Sequence, residues 1–401
     1  MLIFAFYYSE PFPIRHVRTD TLLLFLLAIG SFIIGYLFSI LNGRGFFEKE
    51  NRHTFIKIDY QKLRNVNVTL ILLSILGMFI AIREIGLMAG DSMIFFSNPY
   101  KVRVIVTSMG RSAEYVPTLL YKLGSYLINL GIISAFSSAL LITDTKFRIS
   151  AFAPFFLGIL SSLIYFSRYL LLSYILFFII STFLLLSYLP EDLKQKTKKR
   201  FLSIIFISIL TGIAISAIII LARNFYLDKF GELLGKQVYY YITGGLATFD
   251  SYLIHGHQFF TYGLSMTRGL NDWFIKFGLL DASSVPQGAG HEFVKVAPQM
   301  LMNTYTFTKT IYEDFGTIGL AFVPFLWGYI SCATILKFLQ KFSWIKLYFS
   351  TILIFSMIMS FFGFYLEGIS VIVFRAILVY ALGYVIKEYC NLEVITTRFS
   401  L

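Results

Sequence analysis

Apolar stretches long enough to cross a lipid bilayer recur along most of this 401-residue chain, and no other feature constrains its fold as strongly. A helix of roughly 20 residues spans the ~30 Å hydrocarbon core of a membrane. Hydrophobic residues make up 57% of the chain and charged residues only 14%, far from the balance of a water-soluble domain. The sequence therefore predicts an all-α, polytopic transmembrane helical bundle that forms a single integral membrane domain.

Nine apolar stretches are predicted to be transmembrane helices. They cover residues 21–42, 67–84, 117–142, 150–166, 169–188, 201–221, 315–338, 347–366 and 369–388. The opening MLIFAFYYSE is apolar but too short to span unaided, so it is a half-span, an interfacial anchor or the remnant of a tenth helix. We therefore expect about nine to eleven spans, and we expect no cleavable signal peptide.

The distribution of Lys and Arg predicts the orientation, because positively charged connections are retained on the cytoplasmic side. Alternate connections carry 18 of these residues on one side and 13 on the other, and the richer set includes the short segment EDLKQKTKKR. The C-terminus belongs to this set and is expected in the cytoplasm. The net charge of +12 does not indicate a nucleic-acid binder, because the basic residues are scattered between apolar runs.

The longest stretch without a predicted span lies between the sixth and seventh helices, at residues 222–314. It divides the chain into N-terminal transmembrane helices (1–221), a large external loop (222–314) and C-terminal transmembrane helices (315–401). The loop begins with RNFYLDKFGELLGKQVYYYI, whose helical spacing of apolar residues predicts an amphipathic helix on the outer membrane surface. The glycines of the following TGGLATFDSYLIHGHQFF predict an irregular turn.

Three arginines are predicted at or just beneath the outer interface: Arg168, Arg223 and Arg375. A charge inside a span is costly and therefore needs a partner or a function. The planar donors of arginine match phosphate oxygens, so a cluster of arginines suits a lipid-linked phosphate or pyrophosphate. Alternatively, Arg168 and Arg223 are interfacial residues that snorkel, and Arg375 pairs with Glu367.

Candidates for acid-base chemistry lie in the external loop, where His291 and Glu292 follow a flexible glycine pair in GAGHEF and are placed to deprotonate a sugar hydroxyl. The alternative is an ordinary polar loop. His255 and His257 would share one side of an extended segment, but no third metal ligand is recognisable, so no metal site is expected. The cysteines, one in a span and one near the C-terminus, do not indicate a disulfide framework.

Several short motifs give the chain a resemblance to a known family. They are the SR dipeptide at residues 167–168, ITGGLATFDSYL in the external loop, and NTYTFTKTIYEDFGTIGL at the entry to the next span. Together with the large loop between late helices, they resemble the Wzy family, the O-antigen or oligosaccharide repeat-unit polymerases of bacterial surface polysaccharide and lipopolysaccharide biosynthesis. The resemblance extends over most of the chain from residue 60 onward.

The resemblance implies a glycosyltransferase of the bacterial inner membrane that joins two undecaprenyl-pyrophosphate-linked oligosaccharides at the periplasmic face. It implies no nucleotide sugar, cofactor or metal, and it suggests a Wzz-type chain-length co-polymerase as partner. In this mechanism Arg168, Arg223 and Arg375 stabilise the pyrophosphate leaving group, and Glu292 or His291 deprotonates the acceptor hydroxyl. The alternatives are an O-antigen ligase and a lipid-linked oligosaccharide flippase or transporter.

Glu313 and Asp314 stand where the loop re-enters the membrane. One of them is expected to pair with an interfacial arginine and fix the roof of the cavity. A purely structural alternative is that both are favoured there by the positive dipole at a helix N-terminus.

Overall fold

The computed structural model is almost entirely helical, in keeping with the all-α prediction. It describes residues 14–47, 52–108, 116–144, 146, 148–165, 168–191, 193–198, 203, 205–207, 210–212, 214, 230–255, 260–281, 294–297, 300–302, 305–360, 363, 366 and 369–398.

The helices and strands follow one another in a simple order. In the first half of the chain they are α1 (Thr19–Phe47), β1 (Arg52–Lys57), α2 (Tyr60–Ala89), α3 (Ile94–Ser97), α4 (Pro99–Ser108), α5 (Leu119–Leu141), α6 (Arg148–Tyr165) and α7 (Arg168–Leu185). In the second half they are α8 (Phe230–His255), α9 (Arg268–Lys276), β2 (Val294–Ala297), β3 (Met300–Met302), α10 (Phe307–Gln340), α11 (Trp344–Ile358), α12 (Ile369–Tyr389) and β4 (Glu393–Arg398).

Six of the described helices are long and apolar enough to cross a membrane, namely α1, α2, α5, α7, α10 and α12. Two shorter apolar helices occupy α6 and α11. Eight of the nine predicted spans therefore coincide with helices, and the remaining one, 201–221, lies largely outside the described residues. Helix α11 ends at Ile358, before residue 366, and α2 is longer than predicted, from Tyr60 to Ala89. Helix α10 begins at Phe307, but its break at Gly316 coincides with the predicted start of the span at residue 315.

The chain divides into two compact units. The first unit comprises Met1–Glu50, Gly231–Gln340 and Ile352–Phe374. The second unit comprises Asn51–Phe230, Lys341–Thr351 and Arg375–Leu401. Each unit thus combines segments that are distant in the sequence.

In the first unit, α1 packs along α10 at very short backbone separation. A Cβ on Gly328 would lie 2.1 Å from the carbonyl oxygen of Phe32, so only glycine fits at this crossing. The adjacent residue, Trp327, meets the ring of Phe32 edge-on at 5.4 Å. Small residues that let backbones approach are the usual means of helix association in membranes. Helices α1 and α10 also carry the polar contacts to α8 and to the loop at 261–266 that are described below.

In the second unit, α2 and α5 cross through facing glycines, since a Cβ on Gly77 would lie 2.6 Å from the carbonyl oxygen of Gly124. Polar contacts pin the same pair: Ser137 and Ser138 of α5 donate to the side-chain oxygen of Asn67 at 2.6 and 3.2 Å. Asn67 in turn donates to the backbone oxygen of Ser150 at 3.0 Å. The buried polar side chains of Asn67, Ser137 and Ser138 therefore satisfy one another and the backbone inside the bundle.

Two positively charged segments of the second unit pair with each other. Strand β1 pairs antiparallel with β4 in the register Arg52↔Arg398 to Lys57↔Glu393. Near this sheet, the hydroxyl of Thr143 donates to that of Tyr60 at 2.9 Å. The connection at 43–66 and the C-terminal tail, which charge assigns to the same membrane side, are thus hydrogen-bonded to each other.

Candidate functional site

A buried arginine is the most unusual group in the second unit. Arg375 lies on the second turn of α12, about 9 Å from its first residue, and is 7% exposed. Its Nε donates to Oδ1 of Asn129 on α5 at 2.8 Å. Its guanidinium lies 5.7 Å from the centre of the Phe177 ring on α7, a cation–π contact. Three helices therefore fix the direction of this side chain.

The positive charge of Arg375 is not compensated by any carboxylate among the described residues, and its two Nη groups have no hydrogen-bond acceptor there. Glu367, the alternative partner expected from the sequence, lies outside that part of the chain. An uncompensated charge in a buried position is costly by several kcal/mol. Such a residue in a membrane helix points to a function for the charge.

The other predicted site residues are not brought together with Arg375 where the structure describes the chain. Arg168 is the first residue of α7, and its side chain is not described. Arg223, His291 and Glu292 lie outside the described residues. Their grouping with Arg375 stays a prediction.

A second concentration of charge lies in the first unit, where α8 meets the N-terminal end of α1. Asp250 is 1% exposed, and its Oδ1 accepts hydrogen bonds from the Thr21 hydroxyl at 2.6 Å and from Nε of Arg18 at 2.9 Å. Nε of Arg15 lies 3.9 Å from Oδ2. Burial raises the pKa of Asp250, but the bonds from Thr21 and Arg18 outweigh it and hold the pKa below its usual value. This carboxylate anchors the segment before α1 to α8.

A buried ion pair stands on the first turns of α10. Nζ of Lys309 contacts Oε2 of Glu313 at 2.8 Å, and both side chains are less than 10% exposed. The same oxygen accepts a bond from the Ser265 hydroxyl at 2.9 Å. Rings flank the ammonium group, Tyr252 at 5.0 Å and Tyr305 at 5.5 Å. Burial, with the nearby charge of Glu313 as a further cause, raises the pKa of Tyr252 and keeps it neutral.

The neighbouring carboxylate fastens the loop at 261–266 onto α10. Asp314 is fully buried and accepts bonds from the backbone N–H groups of Ser265 at 2.9 Å and Met266 at 2.8 Å, and from the hydroxyl of Thr261. The backbone N–H of Thr261 also donates to the carbonyl oxygen of Glu313 at 3.0 Å. Oriented N–H groups thus replace the water that a buried carboxylate would otherwise need.

The prediction that Glu313 or Asp314 pairs with an interfacial arginine was wrong. The partner of Glu313 is Lys309, one helical turn earlier, because α10 starts at Phe307 and places the two on one face. The dipole alternative stays a prediction. The two carboxylates lie outside the first turn of α10 but just before its break at Gly316, where φ is 61° and ψ is −150° and the apolar part of the helix begins.

The predicted irregular turn in TGGLATFDSYL was also wrong, because these residues continue α8 to His255. The glycines serve close packing instead: a Cβ on Gly244 would lie 2.2 Å from the sulfur of Met302 on β3. His255 is the last residue of a helix and not part of an extended segment, and His257 lies outside the described residues.

Sequence reasoning missed two contributors to these sites. Lys309 escaped notice because the span was expected to start at residue 315, although its i,i+4 spacing to Glu313 was a usable signal. Asn129 carried no such signal, because a polar residue in an apolar run does not reveal its partner.

Metal sites and relatives give no further assignment. Within the described ranges, no group of three or more His, Cys, Asp or Glu side chains could hold a metal ion. The described cysteines, Cys332 and Cys390, are free and buried. Comparison of the chain with protein-family models, with curated proteins and with solved structures gave no match.

Proposed function

We propose that this protein is a membrane glycosyltransferase that polymerises undecaprenyl-pyrophosphate-linked oligosaccharide repeat units, in O-antigen or related surface polysaccharide synthesis. The observation that carries the proposal is Arg375, a buried cation in an apolar helix whose Nη groups have no acceptor within the described part of the chain. The motif resemblance to the Wzy family supplies the reaction.

The leaving group explains why an arginine is suited to this position. Breaking the bond between the anomeric carbon and the pyrophosphate oxygen leaves an electron pair, and hence negative charge, on that oxygen. Donors fixed in advance stabilise this charge more in the transition state than in the ground state, and they do so best where water is excluded. The bond from Arg375 to Asn129 and the ring of Phe177 fix the guanidinium in this way.

The remaining steps use residues proposed from the sequence. The acceptor hydroxyl of the incoming repeat unit attacks the anomeric carbon of the growing glycan, and its proton passes to Glu292 or His291. A new glycosidic bond forms as undecaprenyl pyrophosphate leaves, so atoms and charge balance without a cofactor. Arg168 and Arg223 are proposed as further pyrophosphate ligands. The reaction takes place at the periplasmic face of the bacterial inner membrane, with the C-terminus in the cytoplasm.

The test is the length distribution of the polysaccharide from a deletion strain complemented with wild type, Arg375→Gln or Arg375→Lys, at matched membrane levels. We expect ladders from wild type, single repeat units from Arg375→Gln, and strongly shortened chains from Arg375→Lys because lysine lacks the planar fork. Lys387→Gln is the control, since Lys387 lies on the same helix as Arg375 and its side chain is 69% exposed. It should give wild-type ladders.

Three outcomes would refute the proposal. Full ladders from the deletion strain would exclude a polymerase. Accumulation of repeat units on the cytoplasmic face of the deletion strain would indicate a flippase. Polymers of normal length that the deletion strain does not transfer to the lipid A core would indicate a ligase.

A further inference from the structure

The second unit contains an elongated apolar groove between α12 on one side and α2 and α5 on the other. Its volume is about 470 Å³, within the range of ligand pockets. It is open on one side and lined chiefly by aliphatic side chains, among them Val66, Leu70, Ile133, Leu378, Leu382 and Val385. A cleft of this composition suits a hydrocarbon chain and offers few partners for polar groups.

Two contacts across the groove hold α12 to its neighbours, one near each end. At one end Arg375 donates to Asn129 of α5. At the other end Nζ of Lys62 on α2 lies 5.5 Å from the centre of the Tyr389 ring. Tyr389 lies fourteen positions after Arg375, which is about 21 Å along the helix axis. The apolar cleft occupies the space between these contacts.

The helical register places the cation on the same stripe as the groove lining. Leu378, Leu382, Val385 and Tyr389 follow Arg375 at intervals of three and four residues, so they share one face of α12. On α5, Ile133 follows Asn129 by four residues and lies on the same face. A cationic group therefore stands at the head of a continuous apolar track.

We infer that this groove holds the isoprenoid chain of the polyprenyl pyrophosphate substrate, with the pyrophosphate against Arg375. The inference rests on the proposed function, and it adds which helices bind the lipid and in which direction. The charge at the head of the track decides the occupant. No described residue offers an acceptor to the Nη groups of Arg375, and a hydrocarbon alone would not supply one, whereas a single-chain lipid phosphate satisfies the cation and the cleft together.

The orientation of the lipid follows from the two cations. Lys62 is already engaged with the face of the Tyr389 ring, and it is only partly buried. Arg375 is buried, and its Nη groups have no acceptor among the residues that the structure describes. The pyrophosphate is therefore assigned to the Arg375 end, and the chain runs along α12 toward Tyr389.

The experiment measures binding of two probes to the purified full-length protein, undecaprenyl pyrophosphate by native mass spectrometry and inorganic pyrophosphate by calorimetry. Ala381→Trp fills the groove from an exposed position on α12 without altering Arg375. We expect it to weaken undecaprenyl pyrophosphate at least tenfold and to leave inorganic pyrophosphate unchanged. Arg375→Gln should weaken both probes, and the control Lys62→Met should weaken neither.

Two results would overturn the inference. One is equal binding of undecaprenyl pyrophosphate by wild type and Ala381→Trp. The other is equally tight binding of phosphatidylglycerol with the same dependence on Ala381 and Arg375, which would make an ordinary phospholipid the occupant. The binding assay does not depend on polymer formation, so it can fail separately from the polymerase proposal. If wild type forms ladders in cells but the expected binding is not seen, only the groove assignment is refuted. If the expected binding is seen but wild type forms no ladders, only the polymerase proposal is refuted.

Discussion

At the scale of single residues, the state of Arg375 distinguishes a functional charge from a structural one. Its partner Asn129 fixes the guanidinium, and no carboxylate within the described ranges compensates the charge, which is the arrangement expected of a cation that binds an anionic ligand. A purely structural arginine would gain from a carboxylate at the same place.

Asn129→Asp tests this difference directly. The new carboxylate would pair with Arg375, so we expect the melting temperature to be unchanged or raised while polymer yield falls about tenfold or more through competition with the pyrophosphate. Gel analysis of polymer length together with thermal unfolding in detergent gives both quantities. Asn129→Ala, which frees Arg375 without neutralising it, should reduce polymer yield less. Normal polymerisation by Asn129→Asp would show that the charge of Arg375 has no role in the reaction.

Asp250 provides a pH-dependent prediction at the same scale. Its pKa is lowered in the folded protein, so its contribution to stability is present above the unfolded value of about 3.9 and is lost as the pH falls through the folded value. We expect the melting temperature of wild type to fall more steeply than that of Asp250→Asn as the pH falls below about 4. Arg18→Gln removes one stabilising donor and should move the loss to higher pH. Identical pH profiles for wild type and Asp250→Asn would contradict this account.

At the scale of secondary structure elements, the break in α10 at Gly316 separates the segment with Lys309 and Glu313 from the apolar part of the helix. Its positive φ disfavours residues with a side chain, and the ring of Phe260 occupies the space where a Cβ would lie. The break thus depends on glycine for two independent reasons.

Gly316→Ala should destabilise the protein by about 1–3 kcal/mol through backbone strain and the clash at 2.8 Å with Phe260. Gly30→Ala in α1 is the matched control, because a Cβ there meets nothing within 4 Å and alanine favours the helix. Thermal unfolding of both variants measures the difference. The double variant Gly316→Ala/Phe260→Ala should recover only the part of the lost stability that comes from the clash. Equal stability of Gly316→Ala and Gly30→Ala would refute backbone strain at Gly316.

The elements also show what sequence reasoning can supply. Spans such as α1 and α5 were predicted because hydropathy summed over about 20 residues is a strong signal. The interior of α8 was missed because glycine favours turns in isolation, and only the contact of Gly244 with Met302 explains it in a helix. Arg375 stood out because charges in spans are rare, whereas its link to Asn129 depends on the packing of α5 against α12, which no local pattern encodes.

At the scale of the whole molecule, charge and strand pairing together predict a membrane topology. The richer set of basic connections includes both β1 and β4, which are hydrogen-bonded in register from Lys57↔Glu393 onward. Two segments paired in this way must lie on the same side of a membrane. The positive-inside rule predicts that this side is the cytoplasm, and it predicts that the loop containing α9 lies on the periplasmic side.

Single cysteines introduced at exposed positions test this topology: Lys57→Cys on β1, Glu393→Cys on β4 and Trp273→Cys on α9. The unmodified chain is the control, since both native cysteines are buried. With the outer membrane permeabilised, a membrane-impermeant maleimide should label Trp273→Cys alone, and the other two should react only after the inner membrane is opened. Labelling of Lys57→Cys and Glu393→Cys from opposite sides would refute the β1–β4 pairing. Labelling of all three from outside would refute the assigned orientation, and with it the placement of the pyrophosphate end of α12 at the periplasmic face.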